Sequence, residues 1–179
     1  MKFSLKFFCI LCSIISCSDI QSIKYLTDLE QANIKGHVMK LITETYQIDS
    51  LSQNMNLESL TIEVYNKLGN TITDTTKNFS EKNEVVNFLY FNKNGSLSSL
   101  STFENGKLQS KMQLKYNEDK CIGVNIFDSS NKLETSYRDI LQNKYGLLSG
   151  LNSYDAKGKL KISYINQYEG IQQISSTAK

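Results

Sequence analysis

The sequence contains no proline and no tryptophan, and only one histidine and one arginine. Without proline, its turns must be made by Asn, Asp, Ser and Gly, and these residues do punctuate the chain. His37 has no second histidine and no free thiol pair beside it in the sequence, which excludes the common zinc sites. A Ser-His-Asp triad would have to use His37, yet no Gly-x-Ser-x-Gly elbow exists. His37 is therefore read as a surface or strand-edge residue. Arg138 is the lone arginine among 20 basic residues, so the planar forks suited to phosphate and carboxylate recognition are nearly missing. The nine glycines stand singly at turn spacing, so no phosphate-cradling loop is formed. No run of acids has the spacing of a calcium loop. At 179 residues the chain suits one ordinary domain. With 40% hydrophobic and 21% charged residues, it is neither a polytopic membrane protein nor compositionally disordered.

The first residues are organised differently from the rest. Met1–Lys6 carries Lys2 and Lys6, and Phe7–Ile15 (FFCILCSII) carries no charge. This is the n-region and h-region order of a secretory signal, and it is shorter than the roughly 20 apolar residues that span a bilayer. Ile14-Ile15-Ser16-Cys17 resembles the bacterial lipobox. The resemblance implies cleavage by signal peptidase II between Ser16 and Cys17 and diacylglycerol on the Cys17 thiol. Residues 1–16 would leave with Cys9, Cys12, Lys2 and Lys6, so 18 basic residues would face 18 acidic ones. A neutral mature chain has no electrostatic footprint for nucleic acid or anionic lipid. The acyl chains would hold the membrane instead, at about 0.8 kcal/mol per buried CH₂. Cys121 then has no intrachain partner and no disulfide framework exists; it is read as a small buried strand thiol.

Residues 17–33 read as the lipidated cysteine followed by a tether or short helix. Ser18 and Gln21 fit a capping box, and Ile20, Ile23, Leu26 and Leu29 form a loosely apolar stripe. Residues 34–170 read as an antiparallel β domain and 171–179 as a tail. Val38, Ile42, Tyr46 and Ile48 alternate within Gly36–Ile48. Leu60, Ile62 and Val64 share one face of Leu57–Tyr65. Glu84–Phe91 is apolar on both faces, the pattern of a central strand.

From Tyr65 onward a degenerate unit recurs: an aromatic, an Asn, Asp or Glu, a short spacer, Gly or Asn, then an aliphatic residue. Its copies begin at Tyr65-Asn66, Phe91-Asn92, Phe103-Glu104, Phe127-Asp128 and Tyr154-Asp155, with a worn copy at Tyr116-Asn117. The aromatic ends a strand, the Asx side chain accepts turn hydrogen bonds, Gly or Asn takes the positive φ, and the aliphatic residue opens the next strand. One strand plus one turn per copy predicts an antiparallel meander or curled sheet, mostly β. YFNKNGSL, TFENGKL, IFDSSNKL and SYDAKGKL resemble the YD-repeat (RHS-like) and MORN-like hairpin arrays of bacterial envelope proteins. The stretch Ile34–Val38 with Glu44 and Tyr46 is similar to the opening of small Bacteroidota lipoproteins that carry such repeats. The repeats break register around Arg138–Leu151.

Little in the chain points to catalysis. Glu44 and Glu63 would be a glycosidase-like carboxylate pair only if they faced each other across two strands; strand Glu residues alternating with Lys are otherwise cross-strand partners. Tyr90, Tyr116, Tyr137, Tyr145, Tyr154, Tyr164 and Tyr168 cluster in the repeat half, either as a core ladder or as a stacking surface. Asp49-Ser50-Leu51 and Asp74-Thr75-Thr76 resemble Bacteroidota O-glycosylation triplets, both expected in loops. The expectation is a non-enzymatic lipoprotein of the bacterial outer membrane, with no cofactor, metal or nucleic-acid partner. It would present a β surface to a protein or glycan ligand. The alternatives are an immunity-like or antitoxin-like partner of one protein, or a small glycan hydrolase.

Overall fold

The computed structural model describes residues 27–49, 54–118, 120–143, 147–169 and 172–179. Ser16, Cys17, the signal segment 1–16 and the Ser18/Gln21 pair lie outside the described residues. The protein is mostly β. One helical turn, α1 (Asp28–Gln31), precedes β1 (Lys40–Ile48), β2 (Met55–Tyr65), β3 (Thr71–Asn78), β4 (Asn83–Phe91), β5 (Leu97–Glu104), β6 (Lys107–Asn117), β7 (Lys120–Phe127), β8 (Leu133–Gln142), β9 (Leu148–Asp155), β10 (Leu160–Glu169) and β11 (Gln172–Ala178). The sheet order follows the chain order from β1 to β11, so it is a meander. Residues 171–179, read as a tail, contain β11, which pairs antiparallel with β10.

The predicted repeat is the hairpin turn itself. In the 66–70 turn Asn66 N donates to Asn70 O at 2.9 Å and Gly69 N donates to Asn66 O at 3.0 Å. Asn66 Oδ1 accepts from Leu68 N and Asn70 N. Asp128 does the same for Ser130 N and Lys132 N, and Asp155 for Lys157 N and Lys159 N. Gly69, Gly95, Asn131 and Gly158 take positive φ, each at the Gly or Asn of its unit. The same construction recurs because one local sequence unit satisfies its own backbone groups.

The two lysine amides of the 155–159 turn and nearby lysine charge hold the Asp155 carboxyl below its ordinary range. A carboxyl depressed in the folded state stabilises above its unfolded pKa, and that contribution is lost as pH falls through the folded value. Asp155→Asn keeps the acceptor, as Asn66 already does in its own turn. Its unfolding midpoint should fall less than wild type's on acidification from pH 5 to below about pH 3. Urea denaturation across that range checks this.

Contacts divide the chain into two compact units: residues 26–112 with 128–132, and residues 113–127 with 133–179 among the described ones. In the first, Leu29, Tyr65, Leu100 and Met112 are buried. Thr27 and Glu30 form a reciprocal capping box on α1. Leu29 N donates to Gly69 O and Thr71 N donates to Asp28 Oδ2, so the helical turn is seated on the β2–β3 turn. In the second unit Leu114, Val124, Ile126, Leu148 and Leu151 are buried, with Ser136 and Ser153.

Candidate functional site

In the first unit, register assigns the two faces of β1–β5. Ile42, Ile62, Thr75, Val86 and Phe103 form one cross-strand row, and Lys40, Val64, Thr73, Phe88 and Ser101 form the next on the same face. Phe88 meets Phe103 edge-on at 5.7 Å. Yet Ile42, Phe88 and Tyr90 remain 52%, 38% and 55% exposed. Glu84–Phe91 is a central strand as its pattern predicts, with β3 and β5 on either side, and no residue along β4 is fully buried. The opposite face mixes polar pairs with Val85, Leu89 and the buried Leu100. Thr102 donates to Asn87 at 2.8 Å, Asn83 donates to Glu104 at 2.8 Å, and Thr61 and Thr76 hydroxyls meet at 3.3 Å.

This register separates Glu44 from Glu63. Glu44 is opposite Leu60 and shares the face of Phe88 and Phe103, whereas Glu63 is opposite Leu41 on the other face. The sheet lies between the two carboxylates, so they cannot flank one bond. Asp74-Thr75-Thr76 lies inside β3, paired on both sides, and is not a loop; its β-branched neighbours favour strand. Ser50 and Leu51 lie outside the described residues. His37 is exposed, ahead of β1. Cys121 is half-buried in β7, and burial raises its thiol pKa, which lowers its reactivity.

In the second unit the site arises from a break in alternation. Along β7, β8, β9 and β10, Asn125, Ser136 and Tyr154 occupy successive paired positions, as do Gly123, Arg138, Asn152 and Ser163. The register of β8 against β9 slips after Arg138, and Asp139 adopts φ 53°. That left-handed residue forms a bulge, which lets consecutive side chains serve one face. Arg138 Nε donates to Ser136 Oγ at 3.0 Å, and its guanidinium lies 4.9 Å from the Tyr154 ring centre. Asp139 Oδ2 accepts from Asn152 Nδ2 and from the Tyr154 hydroxyl, both at 2.9 Å. Ser163 donates in turn to Asn152.

The Asn152 and Tyr154 bonds, aided by Arg138's charge, lower the Asp139 pKa and keep it an anion. The same bond raises the Tyr154 phenol. Beside this network a groove of about 380 Å³ is lined by Lys115, Gly123, Asn125, Ser136 and Arg138, among others. A left-handed non-glycine residue costs about 1–2 kcal/mol, here offset by two charge-assisted bonds. The arrangement fixes a cation and an anion in place; it supplies no activated nucleophile.

The sequence hinted at this site only through the register break at Arg138–Leu151. The visible signal is Tyr137-Arg138-Asp139-Ile140, where two consecutive charged residues interrupt the alternation. Of the clustered tyrosines, Tyr154 enters the network, and Tyr168 donates to Leu148 O at 2.7 Å. Tyr90 faces solvent, and Tyr145 lies outside the described residues. Among the described residues no group of three or more His, Cys, Asp or Glu is placed to hold a metal, and no helix is long and apolar enough to cross a membrane. No protein-family model matches this chain, and no curated protein matches it significantly.

Proposed function

We propose that this protein is a lipid-anchored component of the bacterial cell envelope that acts by binding, with Cys17 carrying the lipid and the β sheet presenting the contact surface. The observation that supports the binding reading is exposure. Among the described residues fourteen large hydrophobic side chains are exposed and nine hydrophobic ones are buried. On the face that carries Phe103, Phe88, Tyr90 and Ile42 lie within a few strands of each other. Scattered apolar residues need no partner, but exposed aromatic and aliphatic side chains gathered on one face of a folded sheet mark an interaction surface. The anchor rests on the signal-like residues 1–16 and the lipobox-like Ile14–Cys17.

The test places a benzophenone amino acid at Tyr90, or at Lys157 in an exposed turn as control, and irradiates intact cells. A discrete adduct from Tyr90, absent from Lys157, is expected whether the ligand is protein or glycan. No adduct at Tyr90, or the same adducts at both positions, contradicts the sheet-surface reading.

A further inference from the structure

The lone guanidinium of the chain is held in a specific way. Its Nε is bonded to Ser136, a residue only 1% exposed, and its face rests against Tyr154. Asp139, its neighbour in sequence, gives Oδ2 to Asn152 and Tyr154. Nε and one face are thus engaged within the protein, which leaves the terminal Nη fork as the part of Arg138 that serves a ligand. Fixing the stem and plane beforehand removes much of the entropy cost of using an arginine.

Across the groove stands Lys115. Gly123 lies directly opposite Arg138 in the β7–β8 register, and a Cβ built on Gly123 would be 3.9 Å from Lys115 Cβ and Cδ. Lys115 and Arg138 therefore flank a position with no side chain, on one face. The same Cβ would stand 3.1 Å from Tyr137 O, so the notch is intrinsic to the strand packing. Asn125 and Ser136 add neutral polar groups to the lining. The groove holds two cations and one anion, Asp139, and so a net charge of one positive. A volume of about 380 Å³ is at the small end of ligand sites.

We propose that this groove binds the carboxylate of a small ligand, with the Arg138 fork gripping it in two parallel bonds and Lys115 closing from the far side of Gly123. The inference rests on the reading of the chain as a binding protein, and it adds a ligand chemistry and a second place. A planar monoanion matches both the fork and the net charge. A phosphate monoester brings nearly two charges to a site with one spare, next to a fixed carboxylate.

The probes are glucuronate and an N-acetylated dipeptide with a free carboxylate. Their counterparts are glucose and the dipeptide amide, and inorganic phosphate is run in parallel. Titration of the full chain in detergent is read by NMR at the Gly123 and Asn125 amides. Saturation by a carboxylate near about 1 mM is expected, without response to its neutral counterpart. Of the two carboxylates, the tighter identifies the source as sugar acid or peptide terminus. Arg138→Lys keeps the charge and removes the fork, and should weaken binding about tenfold. Lys115→Ala should weaken it severalfold and unfold at the wild-type urea midpoint, and the Arg138→Lys protein should keep the wild-type amide spectrum away from the groove.

Wild-type affinity in Arg138→Lys, phosphate binding tighter than either carboxylate, or no saturation by any carboxylate overturns the inference. If no carboxylate binds while the Tyr90 adduct forms, only this inference falls. If carboxylate binding holds without the adduct, the sheet-surface reading falls instead.

Discussion

Tyr65→Ala is expected to destabilise the first unit by about 3–5 kcal/mol, the cost of truncating a buried aromatic to a methyl group. Tyr65 is 3% exposed and ends β2 at the first repeat turn. Its amide donates to Met39 O, and α1 is seated on the turn that follows. A cavity there would be flanked by a short helix and a hairpin turn, neither of which can collapse without breaking its own hydrogen bonds. Tyr65→Phe separates the hydroxyl from the ring. Burial first, then the Glu63 and Asp28 charges, push the Tyr65 phenol up to about 12. A phenol with a raised folded pKa keeps its full stabilising effect below its unfolded value near 10, and loses it as pH rises through about 12. The alkaline fall in stability over that window should be shallower in Tyr65→Phe. Some of it should persist, because Tyr46, Tyr137 and Tyr154 are raised too. Urea midpoints measured from neutral to alkaline pH decide the matter; an unchanged alkaline limb would contradict the assignment.

Leu151→Ala should cost the second unit about 2–5 kcal/mol. Leu151 is 2% exposed and lies in β9, between β8 and β10. Domains of this size are stable by only about 5–15 kcal/mol, so this one truncation would remove a large share. Leu141→Ala, at an exposed position in the neighbouring strand, should stay within about 0.5 kcal/mol. Equal losses for the two variants would show that the buried face of this unit has been misassigned.

The hairpins were the most legible part of the sequence. Asn66, Asp128 and Asp155 announce their turns because the signal is local: one acceptor side chain, one positive φ, five residues. Strand direction and neighbour order followed from the short repeat step. Burial was less legible. The apolar residues of β4 read the same whether both faces are covered or left open, since coverage depends on what packs above the sheet. The last strand, Gln172–Ala178, is polar and fully exposed, so it carried no alternation to detect. α1 was obscured because it is a single turn seated by Asp28 and Leu29 on the β2–β3 turn, about 40 residues away in sequence, and only its Thr27–Glu30 capping box is local. The groove was hardest to read, since a bulge changes which residues share a face. Arg138, Asp139, Asn152 and Tyr154 become a group only after the slip.

The mass of the mature N-terminal peptide decides whether lipid on Cys17 holds this protein in the envelope, as proposed. Protein extracted from membranes should begin at Cys17 and carry diacylglycerol on the thiol, with or without an acyl group on the amine. The Cys17→Ala protein should retain residues 1–16 and lack the lipid mass. A wild-type chain that begins elsewhere, or an unmodified Cys17 thiol, would contradict the claim.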